Sequence, residues 1–279
     1  MKALLARHPR LVHTLSLAEL RLGETPVERW QVDGVTMLAK RDDLSAPALG
    51  GNKARALEVL LAGVEPSRSL LTVGPTGSTH ALAVACHGAS LGWHTEIITW
   101  PQERHSVADA TAARLAALAK VTRARSVADA YLRAALRRLR RRVHWVPAGG
   151  SVPLGALGHV DAALELADQL ARDGIAMPDV IVVPLGTGGT AAGLLVGLAL
   201  AGAPTRVVGV RVVPRLVANH RRVMRLARRT RRLLETLIGD TLPPLNGDRL
   251  IVDGSAYGGA YARETPEARR AAVALRAAG

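Results

Sequence analysis

The sequence predicts an α/β fold of two lobes, each a mostly parallel sheet flanked by helices. Three observations carry that expectation. Short runs rich in valine, isoleucine and leucine alternate along the chain with longer helical stretches. Two of these runs, ending at Val73 and Val183, lead into glycine- and threonine-rich turns that open helices. Pro147-Ala148-Gly149-Gly150-Ser151 then supplies a loop suited to crossing between two lobes. Strands buried on both faces need continuous apolar runs of this kind, because helices cover the sheet above and below.

In chain order, Val35 to Ala39 reads as a strand and Lys53 to Leu61 as a helix. Leu70 to Val73 is a short apolar strand, and after a Gly/Ser/Thr turn Ala81 to Leu91 is helical. Thr95 to Trp100 follows as a strand. Ser106 to Ala119 reads as a helix capped by Ser106, with Asp109 placed to complement the helix dipole. Leu132 to Arg142 is helical and Val143 to Val146 a strand. The second half repeats the habit: helix Val160 to Asp173, strand Val180 to Val183, helix Thr190 to Ala201, and a valine-rich strand from Arg206 to Val213. No internal repeat interrupts the order.

Composition narrows the function classes. At 279 residues and 48% hydrophobic content the chain can bury a full core, which excludes general disorder. The single Cys86 excludes an intramolecular disulfide framework and a cysteine-rich zinc site, and no metal site is expected. Met1 to Arg10 is short and broken by charge, unlike a signal peptide, so a cytoplasmic location is expected. Ile181 to Pro204 lacks formal charge, but Pro184, Gly186, Gly188 and Gly189 break it, so a strand, loop and apolar helix are expected there rather than a membrane span. The net charge of +14 gathers in two arginine runs, 137–142 and 221–232. A nucleic-acid or membrane footprint is one reading. Solvated helix faces are the expected one, because aromatic residues for base stacking make up only 3% of the chain.

Two loops and one lysine carry candidate chemistry. Of 37 basic residues only Lys2, Lys40, Lys53 and Lys120 are lysines, and arginine cannot serve as an amine nucleophile. Lys53 follows Gly50-Gly51-Asn52, where the backbone can approach a bound group closely, and an amine there is a candidate for a Schiff base. Its plain alternative is a surface lysine after a turn. Pro184-Leu185-Gly186-Thr187-Gly188-Gly189-Thr190 offers N–H groups, hydroxyls and a helix dipole to an anion, most often phosphate; otherwise it is a tight turn. It lacks the Lys of a P-loop and the Gly-x-G-x-x-Gly spacing. Gly74-Pro75-Thr76-Gly77-Ser78-Thr79-His80 could hold a carboxylate, cap a helix, or both. His80 reads as a packing residue or a support for the site rather than a metal ligand, and His87 and His94 have no constellation.

The collinear set resembles the 1-aminocyclopropane-1-carboxylate deaminase and D-cysteine desulfhydrase family, pyridoxal-phosphate enzymes of the tryptophan-synthase-β type, fold type II. The likeness starts at Lys40-Arg41-Asp42-Asp43-Leu44 and Gly50-Gly51-Asn52-Lys53-Ala54-Arg55-Ala56-Leu57-Glu58. It continues through Ser78-Thr79-His80, Gly149-Gly150-Ser151, Leu154 to Gly158, the loop at 186–190, Asp253-Gly254, and Tyr261 to Glu267. The resemblance implies pyridoxal 5'-phosphate as cofactor, with Lys53 forming the internal aldimine and acting as acid and base. Asn52, Thr79, Gly186, Thr187, Gly188, Gly189 and Thr190 would join Lys53 around the cofactor. Ser78 would engage the substrate carboxylate, with Thr79, His80, Tyr257 and Tyr261 near the substrate, and Ser78 and Tyr261 counted with Lys53 as catalytic. It further implies a small amino-acid substrate, a lyase reaction releasing ammonia or sulfide, and a homodimer. The lobes would be 1–50 plus 160–279 for the cofactor phosphate and 51–159 for the substrate carboxylate.

The sequence departs from the family in three places. Gly77-Ser78-Thr79 stands where the family has Gln-Ser-Asn, leaving Thr79 with a single donor for the cofactor's phenolic oxygen. Ala256 aligns with the first late tyrosine, with Tyr257 beside it. The sequence ends at Gly279, where the family continues with groups for the pyridine nitrogen and the substrate. A catalytically weak or inactive member with a binding or regulatory role is therefore the alternative expectation.

Overall fold

The computed structural model describes residues 1–65, 67–103, 106–139, 142–261 and 263–278. Arg140 and Arg141 of the first arginine run, Ala262 of the late motif and the terminal Gly279 lie outside these described residues. The chain opens with two short helices, α1 (Lys2–Arg7) and α2 (Leu11–Thr14), and a hairpin of β1 (Val27–Val32) and β2 (Val35–Lys40). Then come α3 (Asn52–Leu60), β3 (Ser69–Pro75), α4 (Thr79–Ser90), β4 (Thr95–Trp100), α5 (Ser106–Leu118), β5 (Lys120–Arg123), α6 (Val127–Leu139) and β6 (Val143–Trp145). The second half holds α7 (Pro153–Arg172), β7 (Val180–Leu185), α8 (Gly189–Leu200), β8 (Arg206–Arg211), α9 (His220–Ile238), β9 (Leu250–Asp253) and α10 (Pro266–Ala278).

Two parallel sheets dominate, in the orders β5-β4-β3-β6 and β7-β8-β9. β3 is central to the first, and its residues Leu70 to Gly74 are buried, as its unbroken apolar run requires. The hairpin departs from the parallel expectation. Val32 pairs with Val35 across Asp33 and Gly34, both at positive φ (49° and 78°), the two-residue turn that matches strand twist.

Several boundaries differ from the sequence reading. α6 begins at Val127 rather than Leu132, and α7 at Pro153 rather than Val160, because proline is tolerated in a first helical turn. α5 contains Ser106 as its first residue instead of using it as a cap. β1, β5 and β9 were not expected as strands.

The largest apolar cluster lies where α1, α7, α8 and α9 pack on β7, β8 and β9. α8 faces α7 through Gly193 and Gly197. A Cβ on Gly193 would fall 2.4 Å from the Ala156 carbonyl oxygen, and one on Gly197 would fall 2.5 Å from that of Val160. The two backbones therefore meet without intervening side chains. α9 turns Val223, Met224, Ala227, Leu234 and Ile238 inward, while Arg221, Arg222, Arg225, Arg228, Arg229 and Arg232 are exposed. The uncharged stretch 181–204 divides into β7, a loop and α8, and no helix among the described residues is long and apolar enough to cross a membrane.

A network of charges sets the tilt of α3. The Arg55 guanidinium donates to Asp42 Oδ1 at 2.8 Å and to Glu165 Oε1 at 2.9 Å, joining α3 to the segment after β2 and to α7. Lys40 Nζ reaches the same Glu165 oxygen at 2.5 Å and the Thr25 carbonyl at 2.6 Å. Gly158 of α7 lies directly under Arg55, where an added Cβ would sit 2.0 Å from the Arg55 carbonyl oxygen. These contacts place the first turn of α3, and with it Lys53.

Candidate active site

A cleft of about 740 Å³ opens at the carboxyl ends of β3, β4, β7 and β8, between the two sheets. In α/β folds this is the usual place for a ligand, because loops leaving the strands and the amino ends of the following helices converge there. The segment after β3, the start of α3, the loop after β7 and the chain around 257–261 all line it.

Every residue picked out from the sequence comes to this cleft: Asn52, Lys53, Ser78, Thr79, His80, Gly186 to Thr190, Tyr257 and Tyr261. Lys53 lies in the first turn of α3, after Gly51 at φ 114°. Its Nζ donates to Asn52 Oδ1 at 3.0 Å. Burial pushes the Lys53 amine below its ordinary range, making it easier to keep uncharged. A half-buried amine at a cleft wall that loses its proton more readily than an exposed one has the chemistry to add to a carbonyl.

Ser78 caps α4, its Oγ accepting from the Ala81 N–H at 3.3 Å, so the helix-cap reading of this loop holds. Thr79 and His80 follow in the first turn of α4. His80 Nε2 is 3.3 Å from Thr72 Oγ1 on β3. Burial, reinforced by the neighbouring Lys53 charge, holds His80 down to about 3, a neutral imidazole at any working pH.

The loop after β7 turns at Gly188, which is left-handed at φ 92°. An L-residue there would be strained in backbone, and its Cβ would meet the Val223 methyl at 3.1 Å. Ser151, from the crossing loop, lies 2.5 Å from Thr187 Oγ1 and accepts the Gly189 N–H at 3.1 Å. The first-turn N–H groups of Thr190 and Ala191 have no acceptor within the helix, and both residues line the cleft. Asn52 Nδ2 donates to Thr190 Oγ1 at 2.9 Å, joining the loop to the start of α3.

The site also uses residues that sequence reasoning did not assign. Trp100 and Tyr131 line the cleft with their rings stacked at 6.3 Å between centroids. Gln102 donates to the Thr76 carbonyl and keeps a buried, unpartnered Oε1. His159 of α7 lies 3.4 Å from Thr190 Oγ1. A polar residue inside the apolar run Leu157 to Val160 was the available signal for His159. Trp100 closes a strand pointing at the cleft, but nothing in its neighbourhood in the sequence marks it.

The residues present fit a phosphorylated aldehyde cofactor. An amine with depressed basicity and a glycine loop with free N–H groups open into one cavity large enough for cofactor and substrate together. No group of histidine, cysteine or carboxylate side chains able to hold a metal occurs among the described residues.

Comparison with known proteins agrees with this fit. The model of the family described as "Pyridoxal-phosphate dependent enzyme" matches residues 18–278. Nocardicin C-9' epimerase from Nocardia uniformis subsp. tsuyamanensis is 35% identical over 286 residues, covering 94% of this chain and 83% of that protein. D-cysteine desulfhydrase from Serratia proteamaculans is 33% identical over 257 residues, covering 86% of this chain and 74% of that one. A crystal structure of an ACC deaminase homologue superposes with a TM-score of 0.69 at 25% identity, over 87% of this chain and 75% of that one. Two helix-flanked parallel sheets, a lysine and a glycine loop at their shared cleft, and a family match over nearly the whole sequence agree: the chain belongs to the pyridoxal-phosphate dependent enzymes of fold type II.

Proposed function

We propose that this enzyme is a lyase of the deaminase and desulfhydrase type, acting on a small amino acid such as D-cysteine or 1-aminocyclopropane-1-carboxylate. The observation that carries the reading is the convergence of Lys53, Ser78 and the 186–190 loop on one cleft. When bound, pyridoxal phosphate supplies a conjugated ring that withdraws electrons from the substrate's α-carbon. The protein does the rest. Thr187, Thr190 and the N–H groups at the start of α8 bind the phosphate. Ser78 Oγ and the amino end of α4 orient the substrate carboxylate. Lys53 Nζ is placed to move a substrate proton, and the lowering of its basicity by burial makes it ready to release the proton it accepts. Tyr257 and Tyr261 bound the substrate, and neutral His80 ties the first turn of α4 to Thr72 of β3.

In this reading residues 51–159 form the carboxylate-binding lobe, and residues 1–50 with 160–279 the phosphate-binding lobe. A second reading, epimerisation of a larger substrate, draws on the aromatic wall of Trp100 and Tyr131 and on the likeness to an epimerase. An amino acid with an α-proton, such as D-cysteine, would begin either reaction by losing it, whereas 1-aminocyclopropane-1-carboxylate carries none and the proton moved would be one on a ring methylene.

Borohydride reduction of the purified protein, followed by peptide mapping, is expected to leave the cofactor attached at Lys53. The Lys53→Ala variant is expected to fold yet lose visible absorbance. A protein that remains colourless with added pyridoxal phosphate overturns the proposal. Release of sulfide and ammonia from D-cysteine distinguishes the lyase from the epimerase, which would exchange the α-proton with solvent and return an amino acid. Cofactor binding without either reaction would identify a binding protein.

A further inference from the structure

Around Lys53 there is a chain of hydrogen bonds longer than cofactor anchoring requires. Lys53 Nζ donates to Asn52 Oδ1 at 3.0 Å, Asn52 Nδ2 donates to Thr190 Oγ1 at 2.9 Å, and His159 Nε2 lies 3.4 Å from the same hydroxyl. The chain spans α3, the start of α8 and α7. Its far end is fixed: His159 is 3% exposed, and a Cβ on Gly193 would sit 2.5 Å from the His159 Cβ. We infer that His159 is a positioning residue for Lys53, acting through Thr190 and Asn52 to keep the Asn52 amide turned with its oxygen toward the amine.

An asparagine amide can flip, and the two orientations are opposite for a neighbouring amine. With Oδ1 facing Lys53 the amide accepts from it; with Nδ2 facing Lys53 two donors confront each other. The Thr190 hydroxyl oxygen settles the choice by accepting from Nδ2, provided that the hydroxyl itself is held. His159 is the side chain that holds it. Burial, with smaller contributions from Lys53 and Arg55, keeps the imidazole pKa down to about 3, so it stays neutral and can hold one tautomer. The charged neighbours acting on His159 are thus both on α3; burial alone acts on Lys53, and His80 of α4 lies in the Lys53 field.

This inference rests on Lys53 being the cofactor-holding lysine, and its test separates the two. Pyridoxal, the aldehyde without phosphate, condenses with an uncharged amine and expels water. The cofactor-free protein would be titrated with pyridoxal across pH, following visible absorbance, with borohydride trapping to map the lysine. An acceptor facing the amine favours its charged form, so losing that acceptor lowers the pH midpoint of adduct formation. His159→Leu and Asn52→Ala are each expected to lower the midpoint by about half a pH unit or more. The double variant should shift no further than Asn52→Ala alone, because the two side chains act in series. His159→Gln, which still bonds to the hydroxyl, should restore the wild-type midpoint. If His159→Leu fails to fold, Thr190→Val takes its place in the same cycle. A wild-type midpoint in His159→Leu, or shifts that add in the double variant, overturns the positioning role. Failure of wild-type protein to label Lys53 at all instead overturns the proposed function.

Discussion

Glu165 offers a quantitative test of how the active-site helix is held. It is the shared acceptor of Arg55, two residues beyond Lys53, and of Lys40 from the hairpin. Its side chain is only 12% exposed. Burial works to raise its pKa, but the hydrogen bonds and charge of Arg55, with help from Lys40, overcome that and hold the carboxyl near 2 against an ordinary 4.5. Burial pulls the Lys40 ammonium down despite the same contact, so Arg55 is the principal counter-charge. At about 1.4 kcal/mol per pH unit, the Glu165 shift is worth about 3 kcal/mol at neutral pH. That agrees with the roughly 3–5 kcal/mol typical when one member of a buried ion pair is removed.

Glu165→Gln should therefore cost about 3 kcal/mol at pH 7, a fall in Tm of about 6–12 °C in a domain of this size. The pH dependence gives the sharper test. A carboxyl with a lowered folded-state pKa contributes fully above about 4.5, and its contribution drains away as pH falls toward 2. At pH 3 about two-fifths should remain, so wild type and variant should converge in acid. Urea unfolding at pH 7, 5 and 3 measures the difference directly. A gap below about 1 kcal/mol at pH 7, or one unchanged between pH 5 and pH 3, would refute the reasoning.

Other expectations follow from single contacts. Gly188→Ala should weaken cofactor binding at least about tenfold, read by equilibrium dialysis, because φ 92° strains the new residue and its Cβ presses on Val223. Gly158→Ala should destabilise by several kcal/mol in thermal unfolding and slow the Lys53 reaction, since its Cβ cannot fit 2.0 Å from the Arg55 carbonyl. His80 and His159, both held to about 3 chiefly by burial, should show no titration between pH 5 and 8 by proton NMR. Their effect has the same sign as that of Glu165 although its cause is burial: below about 6.5 the unfolded chain binds protons that the folded histidines refuse, so each weakens the fold as pH falls toward 3. Cofactor binding should quench tryptophan emission, with Trp100 in the cleft responsible, and Trp100→Leu should lose most of that response.

Parts of this molecule are written plainly in the sequence. The short apolar run Leu70 to Val73 is a strand, as a parallel sheet buried on both faces requires. The loops at 74–80 and 184–190 announce themselves by composition, and both reach the cleft. The hairpin is legible too: Asp33-Gly34 between valines is a strong turn signal. Other features depend on distance. The order β5-β4-β3-β6 follows from how helices pack, which no local pattern states. Arg55 and Glu165 are 110 positions apart, so their pairing is invisible until α3 and α7 cross. His159 is hidden for the same reason, since its partner Thr190 lies on another helix.

The glycines of α8 have a consequence for assembly with the cofactor. At Gly193 and Gly197 no Cβ of α8 stands between its backbone and the α7 carbonyls, so a partial separation there would open a gap that α8 cannot fill. Close docking of the pair would carry the loop at the head of α8 into place with it. A loop so held would be in place before any cofactor arrives, with little chain entropy left to lose on binding. Slow cofactor uptake by the folded protein would then report on access to the cleft rather than on ordering of the loop.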